Sequence, residues 1–112
     1  MIDSQQVLQV FDALGRAVYE NARAHGFWDG PRNDGEMVAL MHSELSEALE
    51  AIRHGNPPSE HIPAHSGLAE EFADVIIRIL DMAHGREIAL GPAILAKMAF
   101  NASRPRKHGK AF

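Results

Sequence analysis

Two short acidic motifs hold the residues best suited to chemistry. His42-Ser43-Glu44-Leu45-Ser46-Glu47 sets two glutamates three residues apart, and Glu71-Phe72-Ala73-Asp74 repeats the spacing as E-x-x-D. On a helix, residues i and i+3 project from one side. Taking 100° per residue, Glu44 and Glu47 fall about 60° and 120° to one side of the apolar stripe Met37, Met41, Leu45, Ala48, Ile52. Glu71 and Asp74 fall roughly 100° and 160° from the stripe Leu68, Phe72, Ile76, Ile79, Ala83. Both pairs therefore border a face expected to be buried. Two such anions 5 Å apart repel by about 3 kcal/mol at an effective dielectric near 20, so a fold that gathers them calls for a cation. An all-oxygen donor set with no cysteine and no histidine inside either motif suits a hard ion, Mg²⁺ with Mn²⁺ as a substitute. Magnesium keeps several waters and recruits phosphate oxygens, which points to a phosphorylated substrate.

The elements that must position these acids are helices. Asp3 or Ser4 can cap a first helix reaching about Ala24, with Val7, Val10, Phe11, Leu14, Val18 and Ala22 as its buried face. The turn-forming stretch from Gly26 to Gly35 follows and contains Phe27 and the only tryptophan, Trp28. These rings plug the end of a bundle or, alternatively, form a stacking wall for a nucleobase. A second helix starts at an Asn33 or Asp34 cap and runs to about His54. Three prolines, Pro57, Pro58 and Pro63, forbid a regular helix in the connector, whose histidines His61 and His65 read as solvated. A third helix spans roughly Ser66 to His84, and Arg78 on its acidic edge is expected to pair with Asp74 or Asp81 as a structural bridge, with phosphate binding as the alternative. If these two helices form an antiparallel hairpin, Glu47 and Glu71 lie about 9 and 8 Å from the turn, and the four acids meet at one level. Pro92 suits the first turn of a fourth helix, on which Lys97, Asn101 and Arg104 share one side.

Composition bounds the rest. A chain of 112 residues makes one domain over 1–112, an all-α four-helix bundle with a basic tail over 103–112. Domains this small bury only about two-thirds of their unfolded surface, so association between copies would help. The net charge of −4 argues against a stable nucleic-acid complex. Yet five of eleven Lys and Arg residues lie after position 96, a pattern that suits an anionic, metal-bound ligand. Neither a secretory leader nor an apolar run long enough for a bilayer is present, so the expected setting is cytoplasmic and soluble, away from membranes. A carboxylate-bridged di-iron bundle would need two E-x-x-H motifs, and only Asp81-x-x-His84 approaches one.

Three segments together, H-S-E-L-S-E-A-L-E, E-E-F-A-D-V-I-I-R and K-x-x-x-N-x-x-R-P-x-K-H-G-K, resemble the MazG-type all-α nucleotide pyrophosphohydrolases, in particular the short single-domain members of bacteria and phages. The 23 residues between Glu47 and Glu71 fit the variable gap of that pattern. The resemblance implies hydrolysis of a nucleoside triphosphate between the α and β phosphorus atoms, giving a monophosphate and pyrophosphate. It implies Mg²⁺ held by Glu44, Glu47, Glu71 and Asp74, and a homodimer or homotetramer with sites near the subunit contact. Within that scheme Glu47, Glu44 and Glu71 are the catalytic candidates, with Glu47 orienting water, and Lys97, Asn101 and Arg104 hold phosphates. Phe27 and Trp28 are candidates for the base, and Lys107, His108 and Lys110 are further candidates in the tail. Ser43 stands where many relatives carry an extra acid, so no base role transfers there. Two alternatives stay open: a nucleotide-binding regulatory module without turnover, and a phosphoribosyl-ATP pyrophosphatase-like enzyme.

Overall fold

The computed structural model describes residues 2–112 and contains four α-helices, α1 (Ser4–Ala24), α2 (Asp34–Arg53), α3 (Gly67–Gly85) and α4 (Leu90–Ala102), with a 3₁₀ turn over Arg106–Gly109. Short polar side chains start the first three. The Asp3 carboxylate accepts from the Gln5 and Gln6 amides, Asn33 accepts from the Glu36 amide, and Ser66 accepts from the Ala69 amide. Each bond satisfies an amide that the first helical turn leaves free. Asp34 and Glu36 also set negative charge at the positive end of α2. Gly26 and Gly55, at φ +85° and +80°, carry the chain out of α1 and α2 in the left-handed region.

Helix α3 is the centre. It packs against α2 on one flank and α1 on another, and α4 lies on α1. Gly91 makes that last contact close, since a Cβ there would stand 3.2 Å from Leu8 Cδ2. Helices α2 and α3 are antiparallel: Gly67 faces Ala51 across a gap where a Cβ would stand 3.3 Å from the Ala51 methyl, while Arg78 reaches back to Glu44. The connector between them is tied down. Pro58 and Ser66 form an antiparallel bridge, the Asn56 side chain accepts from the Leu68 amide, and buried Ser59 accepts from the His61 and Ile62 amides.

The burial pattern departs from the expected stripes. Among the described residues the buried apolar side chains are Met37, Ala48, Leu80 and Ala83, whereas Leu45, Ile52, Phe72 and Ile76 are about half exposed, as are Val10, Leu14 and Met98. The seam between α2 and α3 runs through Met37 and Ala48 of the expected stripe together with Glu44 and Glu71, and Leu45 and Phe72 lie one residue, about 100°, round from these two acids. Because the helices are antiparallel, that step leads to the same side of both. Leu45, Leu49, Ile52, Phe72 and Ile76 therefore share one exposed face of the pair, away from α1. The chain is correspondingly open: its radius of gyration is 16.4 Å, against about 13 Å for a compact domain of this length. Its accessible surface of 8316 Å² exceeds the roughly 6,100 Å² typical of this mass by about 2,200 Å². No helix among the described residues is long and apolar enough to cross a membrane.

Candidate functional site

Turning the seam onto Glu44 and Glu71 brings three carboxylates together. One oxygen from each of Glu44, Glu47 and Glu71 lies within 4.8 Å of the others. Glu44 is 8% exposed, and its Oε1 accepts from Arg78 Nε at 3.1 Å and Nη2 at 3.0 Å. Arg78 thus pairs across the seam with Glu44, not along its own helix with Asp74 or Asp81, because its side chain points toward α2. Oε2 of Glu44 and Oε2 of Glu71 are buried with no N–H or hydroxyl donor against them. A buried carboxylate oxygen left without a donor costs about 1–3 kcal/mol, more when charged, so this pair calls for a shared proton or a cation. Asp74 stands outside the three-oxygen cluster, half-buried, and lines the adjoining groove with Glu44. The expected set of four acids at one level is thus three in mutual reach and one beside them.

The protonation pattern follows from the crowding. Burial, then hydrogen bonding to Glu44 and Glu47, then their charges push the Glu71 carboxyl from 4.5 up to about 8. It holds a proton at neutral pH. Burial also pushes Glu44 up, but hydrogen bonds with Glu71, Arg78 and Glu47 outweigh it and leave its carboxyl below the usual value. Asp74 is raised by burial and by the charges of Glu44 and Glu70, partly offset by Arg78. A proton shared among three glutamates thus occupies the ground that a cation would neutralise. The donor set is all oxygen, with two free lone-pair-bearing atoms aimed into it, and fits a hard divalent ion.

Beside the acids opens a groove of about 650 Å³ between α1 and α3, lined among others by Asn21, Phe27, Arg32, Glu44, Asp74 and Arg78. Phe27 is 61% exposed and forms part of its wall. Trp28 does something else. Its indole N–H donates to Asp81 Oδ1 at 2.9 Å, its ring lies 5.3 Å from Tyr19, and the guanidinium of Arg32 sits 4.7 Å above it. It rests on Gly85 so tightly that a Cβ there would collide. Of the two rings, Trp28 closes the end of the bundle and Phe27 faces the groove.

The other expected residues lie apart from the acids within one chain. Lys97 and Arg104 flank the Phe100 ring, with Nζ 4.7 Å and the guanidinium carbon 5.4 Å from its centre. Neither they nor Asn101 line the groove, and neither charge is among the main influences on Glu44, Glu71 or Asp74. Asn101 Oδ1 is buried and unpaired. Arg104 instead donates to the His108 carbonyl at 3.3 Å, in a turn where Lys107 and His108 both take left-handed backbone at φ +53°. Lys110 is exposed. In the connector, His61 has an acidic partner after all: its Nδ1 lies 2.8 Å from Glu70 Oε2, which raises its pKa. Arg32, whose Nη1 donates to Asp81 at 3.0 Å, was not singled out by the sequence, since a loop residue has no periodicity to reveal it.

No protein-family model matches the chain, and no curated protein or solved structure matches it either.

Proposed function

We propose that this chain is a Mg²⁺-dependent nucleoside triphosphate pyrophosphohydrolase of MazG-like type, acting on (deoxy)nucleotides in the cell's nucleotide pool. The observation that carries the reading is the pair of buried oxygens, Glu44 Oε2 and Glu71 Oε2, that no N–H or hydroxyl donor meets, in a cluster of three glutamates beside an open groove. Glu44, Glu47 and Glu71 would hold the ion, with Asp74 adding charge from the groove side. When bound, Mg²⁺ or Mn²⁺ supplies charge neutralisation for the triphosphate and a water of lowered pKa.

The chain's own residues do the rest. Glu47, the exposed member of the three, takes the proton of the attacking water or orients it. The water oxygen bonds to the α phosphorus, the α–β bridging oxygen departs with pyrophosphate, and a monophosphate remains. Phe27 offers the base an apolar wall. The phosphate-holding trio Lys97, Asn101 and Arg104 would come from a second copy. An excess surface of about 2,200 Å² is what a permanent interface covers, and the apolar face over Leu45, Leu49, Ile52, Phe72 and Ile76 is where a dimer or tetramer would form.

A panel of canonical and modified nucleoside triphosphates with Mg²⁺ or Mn²⁺, scored for monophosphate and pyrophosphate, tests the reading. Diphosphate with orthophosphate would overturn the α–β assignment. Binding without any turnover would leave a regulatory nucleotide-binding module in its place.

A further inference from the structure

Arg78 touches two regions that the proposed function keeps separate. Two of its donors, Nε and Nη2, converge on one oxygen of Glu44. The whole guanidinium is thereby aligned, Glu44 is held as the anion, and its other oxygen, Oε2, is left without an N–H or hydroxyl donor in a residue whose carboxylate is within reach of Glu47 and Glu71. The third nitrogen, Nη1, has no protein acceptor, and the residue is about one-third exposed and lines the groove alongside Phe27, Asp74 and Asn21. A guanidinium presents its donors in a rigid planar fork, so fixing two on Glu44 fixes the direction of the remaining ones. The unused Nη1 donor of Arg78 belongs to a groove edged by Glu44, Asp74 and Asp81 and also by Arg32, where it can meet an oxygen acceptor of a ligand.

We propose that Arg78 is a positioning residue that couples the two halves of the site: it presents Glu44 Oε2 to the ion and at the same time receives an anionic phosphate oxygen of the nucleotide in the groove. This rests on the reading of the seam as a metal and nucleotide site, but not on turnover. Its signature is cooperativity. The nucleotide, by neutralising and fixing Arg78, strengthens the ion's hold on Glu44, and by linkage the ion strengthens the nucleotide's hold to the same degree. Lysine keeps the charge but has one point donor where arginine has a fork, so it can serve Glu44 or the phosphate and not both.

The test is Mn²⁺ titration of the full chain by electron paramagnetic resonance, alone and with the four α,β-methylene deoxynucleoside triphosphates, which cannot be split at that bond. In the wild type, the best of the four analogues tightens Mn²⁺ binding about tenfold. In Arg78→Lys, Mn²⁺ alone binds within about threefold of wild type, while the tightening by analogue is lost. In Arg78→Met, Mn²⁺ alone weakens by about tenfold or more, as for the loss of other partners that orient a metal ligand. Circular dichroism of both variants confirms that they fold. Absence of tightening in the wild type, or its survival in Arg78→Lys, overturns the proposal. A wild type that shows the coupling but hydrolyses no triphosphate would remove the catalytic reading and leave Arg78 in its role.

Discussion

Helix α3 carries two buried acidic stations about 15 Å apart, and they are built on opposite principles. At Asp81 every demand is met. One oxygen accepts from the Trp28 indole at 2.9 Å, the other from Arg32 at 3.0 Å, and Arg32 in turn caps the Trp28 ring. At Glu71 the opposite holds: a raised carboxyl, two neighbouring glutamates, and an oxygen with no partner. Both stations are acids with arginine close by, and both lie against the same core helix. What separates them is satisfaction. A buried carboxylate with a donor on each oxygen is part of the fold, and one left wanting is the candidate for binding something else. Burial alone would not have told them apart.

The sharpest way to break that comparison is to neutralise the unsatisfied station without changing its shape. Glu47→Gln and Glu71→Gln are each expected to reduce triphosphate hydrolysis by about 10³-fold or more, with helicity by circular dichroism unchanged. Turnover retained in both variants would refute the assignment of these acids. The satisfied station should respond in stability and not in chemistry. Asp81→Ala leaves Arg32 and the indole N–H unpaired at a site where the two charged side chains are only 13% and 16% exposed. We expect a loss of about 3 kcal/mol in urea unfolding and a melting point lower by roughly 10–15 °C. A neutral result would mean that Asp81 is as dispensable to the fold as a surface residue.

The unsatisfied station also predicts a dependence on pH. Glu71 loses its proton near 4.5 in the unfolded chain but at about 8 in the fold. Between those values the native state binds more protons than the unfolded one, so stability falls as pH rises through the window. His61, raised by Glu70, slopes in the same direction from an exposed position. Removing Glu71 alone therefore isolates its share. In metal-free buffer, Glu71→Gln should melt higher than wild type at pH 8, and the two should converge toward pH 4.5. A constant difference across that range would show that Glu71 is not the titrating group.

Much of this was legible in the residues, and the remainder was hidden for definite reasons. Helix positions followed from Asp3, Asn33, Ser66 and the glycines after α1 and α2, because caps are local chemistry. The acids were found by spacing. What spacing could not supply was which side of each helix faces inward. Leu45 and Phe72 promised a buried stripe, yet they lie half exposed while Glu44 and Glu71 occupy the seam. Periodicity reports that a face is apolar, not whether its partner belongs to the same chain. Arg78 was visible as a cation on the acidic edge, but its choice of Glu44, on another helix, depended on the packing of α2 against α3. Leu45→Glu with Phe72→Glu probes the outward face directly. Sedimentation should shift from a dimer or tetramer to a monomer, and a wild type already monomeric at 100 μM would show that this face has no second copy on it.

The smallest effect expected is at the groove wall, and it separates the two aromatic neighbours. Phe27 and Trp28 are adjacent in sequence and equally apolar, so sequence gave both the same two possible roles. Phe27 spends 61% of its surface on solvent and lines the groove, whereas the Trp28 ring is held by Tyr19, Arg32 and Gly85 with its N–H on Asp81. Phe27→Ala removes a stacking surface that nothing in the fold uses. It should weaken nucleotide affinity by about threefold to tenfold, the scale of one modest aromatic contact, and shift the melting point by no more than a degree or two. Trp28→Phe keeps most of the ring but deletes the donor to Asp81, so it should lower stability by about 1–2 kcal/mol and leave nucleotide affinity near wild type. Isothermal titration with an α,β-methylene triphosphate beside thermal melts reads both quantities for both variants. If Trp28→Phe costs affinity and Phe27→Ala does not, the base lies over the indole and the groove wall has been assigned to the wrong ring.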